Sequence, residues 1–142
     1  MTIKNSESVN KMDVLVDTCI WSLALRRQKS TPDPHTNELK SLILSNRACI
    51  IGPIRQEILS GIREPKQCSV LKQELEAFPD MQLQTVDYEN AAEFYNLLRT
   101  KGIQGSNTDF LICAISFRYK ISIFTNDKDF LLFAKHIPIQ LY

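Results

Sequence analysis

Short continuous apolar runs alternate along this chain with longer stretches in which apolar residues recur every three or four positions. The runs read as buried parallel strands, and the stretches as helices that bury one face. Residues 14–16, Val-Leu-Val, form the first run, which stops abruptly at an acid, Asp17. Residues 18 to about 27 follow as a helix with Ile20, Trp21, Leu23, Ala24 and Leu25 on a broad apolar face. A loop with Pro32 and Pro34 leads to a second helix over 35–46, and residues 48–51 are a second strand ended by Gly52. Pro53 then opens a helix where its missing N–H costs nothing, with Ile54, Ile58, Leu59 and Ile62 as the core stripe. Further helices are expected over 66–78, 87–101, 106–119 and 128–136. Strands are expected over 81–86, where apolar and polar residues alternate, and over 121–125 and 137–141.

Strands separated by helices require crossover connections, so the sheet should be mostly parallel, in an α/β fold. Asp17 then falls at the carboxyl end of the first strand, the edge at which open α/β sheets bind ligands. Capping of the following helix explains the same residue equally simply. Asp127 stands just past the fourth strand as Asp17 stands past the first. Glu57 lies on the flank of a core-packed helix, where a solvated side chain is ordinary. Asp109 sits in the first turn of the helix over 106–119, at capping-box spacing from Ser106. Taken together, Asp17, Glu57, Asp109 and Asp127 are brought by right-handed crossovers to one edge of the sheet. Carboxylates converging there repel unless a hard cation neutralises them, which points to Mg²⁺ or Mn²⁺.

The succession V-D-T at 16–18, P-x-x-x-E-I at 53–58, T-D-x-x-I-x-A at 108–114 and T-N-D-x-D-F at 125–130 resembles the PIN-domain ribonucleases. In size and order it resembles a VapC-type toxin of a type II toxin–antitoxin system, from about Met12 to Tyr142. The resemblance implies a Rossmann-like three-layer α/β/α sandwich with a central, mostly parallel sheet of about five strands. It also implies a metal-dependent endoribonuclease, homodimeric and inhibited by a cognate antitoxin protein. Asp17, Glu57, Asp109 and Asp127 fall on the family's catalytic, metal-binding acids, and Thr125 on the hydroxyl residue that supports the fourth. Asp129 is a further supporting candidate outside the metal shell, and a direct role for Cys19 is left open. Cleavage would proceed by two-metal-type hydrolysis, with Asp17, Asp109 and Asp127 on one ion and Glu57 helping to place a second ion or the attacking water. The expected ends are 5′-phosphate and 3′-hydroxyl.

Lys plus Arg number 17 against 16 for Asp plus Glu, so bulk charge does not draw nucleic acid. RNA must be held by local cations, for which Arg26, Arg27, Lys29, Arg55 and Lys128 are the candidates. RNA with an accessible loop is the favoured substrate class. The 142 residues suit one domain, over 12–142, with residues 1–11 as a disordered tail or added extension. Cys19, Cys49, Cys68 and Cys113 lack zinc spacing and read as reduced thiols. No run approaches the roughly 18 apolar residues of a membrane span. A soluble, cytoplasmic protein is expected. The competing reading is a non-catalytic PIN-like module that binds RNA or protein. A phosphoacceptor receiver would need a second acid beside Asp17, and an aspartyl phosphatase would need D-x-D there; Thr18 and Cys19 supply neither.

Overall fold

A computed structural model describes residues 9–25 and 33–142. Five strands form one sheet: β1 (Val14–Val16), β2 (Ala48–Ile51), β3 (Asp80–Met81), β4 (Ser122–Phe124) and β5 (Gln140–Leu141). Their order is β3-β2-β1-β4-β5, and every pairing is parallel. The strand order reverses between β1 and β4, which makes that junction the switch point at which a crevice opens. Val14, Leu15 and Val16 pair with Ser122, Ile123 and Phe124 in register. The residues that follow, Asp17 and Thr125, therefore emerge side by side.

The helices are α1 (Thr18–Leu25), α2 (Pro34–Leu44), α3 (Gly52–Ser60), α4 (Pro65–Leu75), α5 (Thr85–Thr100), α6 (Asn107–Tyr119) and α7 (Asp129–Ala134). They flank the sheet as the outer layers of an α/β/α sandwich, α1 packing on α2 and α3, and α5 on α6. Both faces of β1 and β2 are buried, as their unbroken apolar runs require. Trp21 lies under α1, its indole N–H donating to Val16 O at 3.0 Å and its ring edge-on to Phe78. On α6, residues 112–116 are buried without a break, in keeping with a helix apolar nearly all round. Phe110, Phe130 and Phe133 form an aromatic cluster beside its first turn.

The strand expected over 81–86 is a correction. Only Asp80–Met81 pairs, because α5 begins at Thr85 and its start is tied by Asp87, which accepts the Gln84 N–H at 2.8 Å. Helix capping there outweighs the local alternation. The last strand is likewise shorter than expected, since Pro138 has no N–H to donate to a ladder. Residues 1–8 lie outside the described residues, but 9–11 are not a free tail. Val9 packs against the core, and Asn10 and Asp13 exchange two hydrogen bonds of 2.9 Å. Asp87 is fully buried and receives Arg118 from α6 bidentately at 2.6 and 2.8 Å. Arg118 in turn lies over the Tyr119 ring, 4.1 Å from its centroid. The four cysteines are free thiols.

Candidate functional site

Asp17 combines the two roles its sequence position allows. Its carbonyl oxygen accepts the N–H groups of Ile20 and Trp21 and so starts α1, while its own N–H donates to Phe124 O at 2.9 Å across the switch point. Its side chain is buried among donors. Oδ1 accepts the Thr18 N–H at 2.7 Å, and Oδ2 accepts the Thr125 hydroxyl at 2.8 Å and the Cys19 thiol at 3.5 Å. Cys19 Sγ is also 3.5 Å from Thr125 Oγ1.

Thr125 connects two acids. The hydroxyl that donates to Asp17 accepts the Asp127 N–H at 3.0 Å. Asp127 Oδ1 then accepts the Asp129 N–H at 2.9 Å, an Asx turn that leads into α7. Asp129 thus contributes its backbone here, and its side chain is exposed. Asp109 closes a capping box at the start of α6: its Oδ2 accepts the Ser106 N–H at 2.9 Å, and its own N–H donates to Ser106 Oγ at 3.0 Å. The capping explanation is therefore correct for Asp109 as a local statement. Gly105, just before it, lets the chain pass beside the aromatic cluster; a Cβ there would stand 2.7 Å from Phe133 Cζ.

Electrostatics couple three of these acids. Burial pushes the Asp17 carboxyl up, hydrogen bonds from Thr125, Thr18 and Cys19 pull it back, and the charge of Asp127 raises it again. Asp109 is pushed up first by burial and then, against its two bonds with Ser106, by the charges of Asp17 and Asp127. Burial followed by the charges of Asp109 and Asp17 also raises the Cys113 thiol, one turn along α6. The fourth acid, Glu57, is exposed on α3 and accepts the Thr18 hydroxyl on Oε2 at 3.0 Å.

Among the described residues, no three His, Cys, Asp or Glu side chains form a ready-made ion cage. Asp109 and Asp127 are instead held by a cap and a turn, Asp17 by Thr18 and Thr125, and Glu57 by Thr18. The chemistry of the set nonetheless fits a hard divalent ion: all donors are carboxylate oxygens, and their mutual repulsion is what such an ion relieves. Asp17, Asp109 and Asp127 could hold it, with Glu57 at the margin.

The expected substrate cations fare differently. Arg26 and Arg27, with Lys29, lie outside the described residues. Lys128 is exposed beside Asp127. Arg55, expected among the local cations for RNA, is engaged within the fold. Its guanidinium donates to Asp80 Oδ1 at 2.9 Å, to Leu75 O at 3.0 Å and to Phe78 O, tying α3 to the turn between α4 and β3. Thr18 is the residue that sequence reasoning missed. A hydroxyl in the first turn of a helix reads as a cap, and nothing local indicates a partner 39 positions away.

Comparison with the curated proteins finds no match. Solved structures share the fold at low identity. A chain of "Crystal structure of VapBC2 from Rickettsia felis bound to a DNA fragment from their promoter" superposes with a TM-score of 0.72 at 22% identity, covering 92% of this chain and 96% of that one. A chain of FitAcB from Neisseria gonorrhoeae gives 0.70 at 20% identity, covering 91% and 96%. A toxin–antitoxin complex from Klebsiella pneumoniae gives 0.58 at 18%, covering 82% and 88%. With the five-stranded parallel sheet and the acids at its switch point in place, the match of residues 14–135 to the PIN domain family completes the assignment: this chain belongs to that family.

Proposed function

We propose that this protein is a metal-dependent endoribonuclease of the VapC-toxin kind, hydrolysing RNA phosphodiester bonds and inhibited by a cognate antitoxin. The observation that carries this reading is the convergence of carboxylates at the sheet's switch point: Thr125 bonds both Asp17 Oδ2 and the Asp127 N–H, and the charges of Asp17 and Asp127 act on Asp109. A carboxylate cluster of this kind costs stability, and metal-assisted chemistry gives it a use.

Asp17, Asp109 and Asp127 would hold Mg²⁺ or Mn²⁺, with Glu57 helping to place a second ion or orient the attacking water. The bound ion supplies Lewis-acid chemistry, raising the nucleophilicity of water near neutral pH and offsetting charge on the phosphoryl oxygens. The chain's own contribution is preorganisation. Thr18 N–H and the Thr125 hydroxyl fix the two oxygens of Asp17, and Ser106 fixes Asp109 from the other helix layer. Asp127 is held through its N–H on Thr125 and its Oδ1 on Asp129. Lys128, with Arg26 and Arg27, would position the RNA backbone, and Asp129 would act only through its backbone.

The solved structures similar to this chain include toxin–antitoxin complexes, which supports an antitoxin as partner. A groove of about 620 Å³ between α1, α3 and α4, lined by Leu25, Ile58, Ile62, Val70 and Leu71, offers an apolar seat next to Glu57. A homodimer is part of the same proposal, as is a cytoplasmic location. Among the described residues no helix is long and apolar enough to cross a membrane.

The test is cleavage of a structured RNA pool by the wild type and by Asp17→Asn, each with Mg²⁺, Mn²⁺ or chelator. Metal-dependent cutting that the variant loses supports the nuclease. No cutting by the wild type, together with no Mn²⁺ binding by calorimetry, would favour a non-catalytic PIN-like module that binds RNA or protein.

A further inference from the structure

Resting on the nuclease reading above, we infer that Thr18 is a positioning residue for Glu57 and selects the one orientation of that carboxylate that serves the acidic site. Thr18 reaches two acids at once. Its backbone N–H holds Asp17 Oδ1 at 2.7 Å, and its hydroxyl holds Glu57 Oε2 at 3.0 Å. Among the described residues, Thr18 is the hydrogen-bond partner that Glu57 has.

Two features make that contact decisive. Glu57 is exposed on α3 and also lines the groove between α1, α3 and α4, together with Ser22, Gln67 and Glu74. Its long side chain can therefore swing toward the groove or toward Asp17. Asp17, Asp109 and Asp127 all bear carboxylates at this end of the sheet, and like charge opposes the second orientation. A donor at the first residue of α1 offsets that repulsion.

The donor's neutrality is equally important. A Lys or Arg at this position would neutralise Glu57 and compete with a metal ion for its oxygens. A hydroxyl engages Oε2 and leaves Oε1 free for an ion or a water. Because Thr18 follows Asp17 directly, any shift of the β1 end moves both carboxylates together, and the spacing between the acids from β1 and α3 is preserved. Thr18 touches neither substrate nor ion in this scheme. It acts through Glu57.

The experiment compares wild type, Thr18→Val, Thr18→Ser, Glu57→Ala and the Thr18→Val/Glu57→Ala double variant, by RNA cleavage in Mn²⁺ and by calorimetric Mn²⁺ binding. Circular dichroism checks that each is folded. Thr18→Val should lower kcat about tenfold with KM for RNA unchanged, as expected when a hydrogen bond to a charged group is lost. It should weaken Mn²⁺ binding about threefold, and Thr18→Ser should restore both. In the Glu57→Ala background, adding Thr18→Val should change neither, because coupled residues are not additive. Equal losses with and without Glu57, or no loss in either background, would overturn the positioning role while leaving a cleaving wild type as a nuclease. A wild type that neither cuts RNA nor binds Mn²⁺ would instead remove the nuclease reading, and this inference with it.

Discussion

The Thr125 hydroxyl donates to Asp17 Oδ2 at 2.8 Å across 108 positions of sequence, while accepting the Asp127 N–H at 3.0 Å. One side chain thus sets both the orientation of the β1 acid and the turn that carries the β4 acid. Thr125→Val removes both contacts without changing the shape of the site, and should lower RNA cleavage about ten- to a hundredfold. Thr125→Ser, which keeps the hydroxyl, should recover most of that loss. Single-turnover cleavage in Mn²⁺ is the measurement. Equal activity of the Val variant and wild type would exclude Thr125 from the site.

Asp109→Asn should stabilise the metal-free protein. The amide oxygen can still accept the Ser106 N–H, and the repulsion from Asp17 and Asp127 disappears. Thermal unfolding in chelator should rise by roughly 2–5 °C. Added Mn²⁺ should stabilise wild type more than the variant, reversing part of the difference.

The pH dependence follows from the raised carboxyls of Asp17 and Asp109. Between the ordinary carboxylate value and the raised one, the folded protein binds more protons than the unfolded chain. Their contribution to stability is therefore present below the ordinary value and lost as pH rises through the raised one. In chelator, the contribution of these two groups to denaturant midpoints should fall as pH rises above the ordinary carboxylate value, and Asp109→Asn should flatten that slope.

Arg55→Gln and the pair Arg26→Gln with Arg27→Gln should separate structure from binding. Loss of the Arg55 contacts to Asp80, Leu75 and Phe78 should cost roughly 1–3 kcal/mol of stability and leave RNA affinity unchanged. The Arg26 and Arg27 changes should weaken RNA binding and reduce its salt slope by about 0.7 per cation. An unchanged salt slope would remove both arginines from the RNA surface.

Gly105→Ala should damage the site from a distance. The new Cβ would meet the Phe133 and Phe110 rings, and relief requires moving the start of α6, where Asp109 is capped. The expected cost is about 1–3 kcal/mol in urea unfolding. Cleavage should fall further than the stability loss alone explains.

Much of the layout was legible along the chain. The unbroken runs Val14 to Val16 and Ala48 to Ile51 identify strands buried on both faces, and Ser106 with Asp109 marks the start of α6. These signals rest on interactions between residues a few positions apart, which sequence displays directly. The same locality explains the overlong third strand, because alternation over 81–86 is visible while the depth to which Asp87 buries against Arg118 is not.

The acids after β1 and β4 were determined by sequence as residues at strand ends, since one apolar run stops immediately before Asp17 and the other just short of Asp127. That they adjoin was decided by the order β3-β2-β1-β4-β5, which places the first and fourth strands side by side. Tertiary packing alone assigned Thr18 to Glu57, Thr125 to Asp17, and Arg55 to Asp80 and two carbonyls. A side chain's class is written in the chain, but its partner depends on which elements the core brings within about 3 Å of each other.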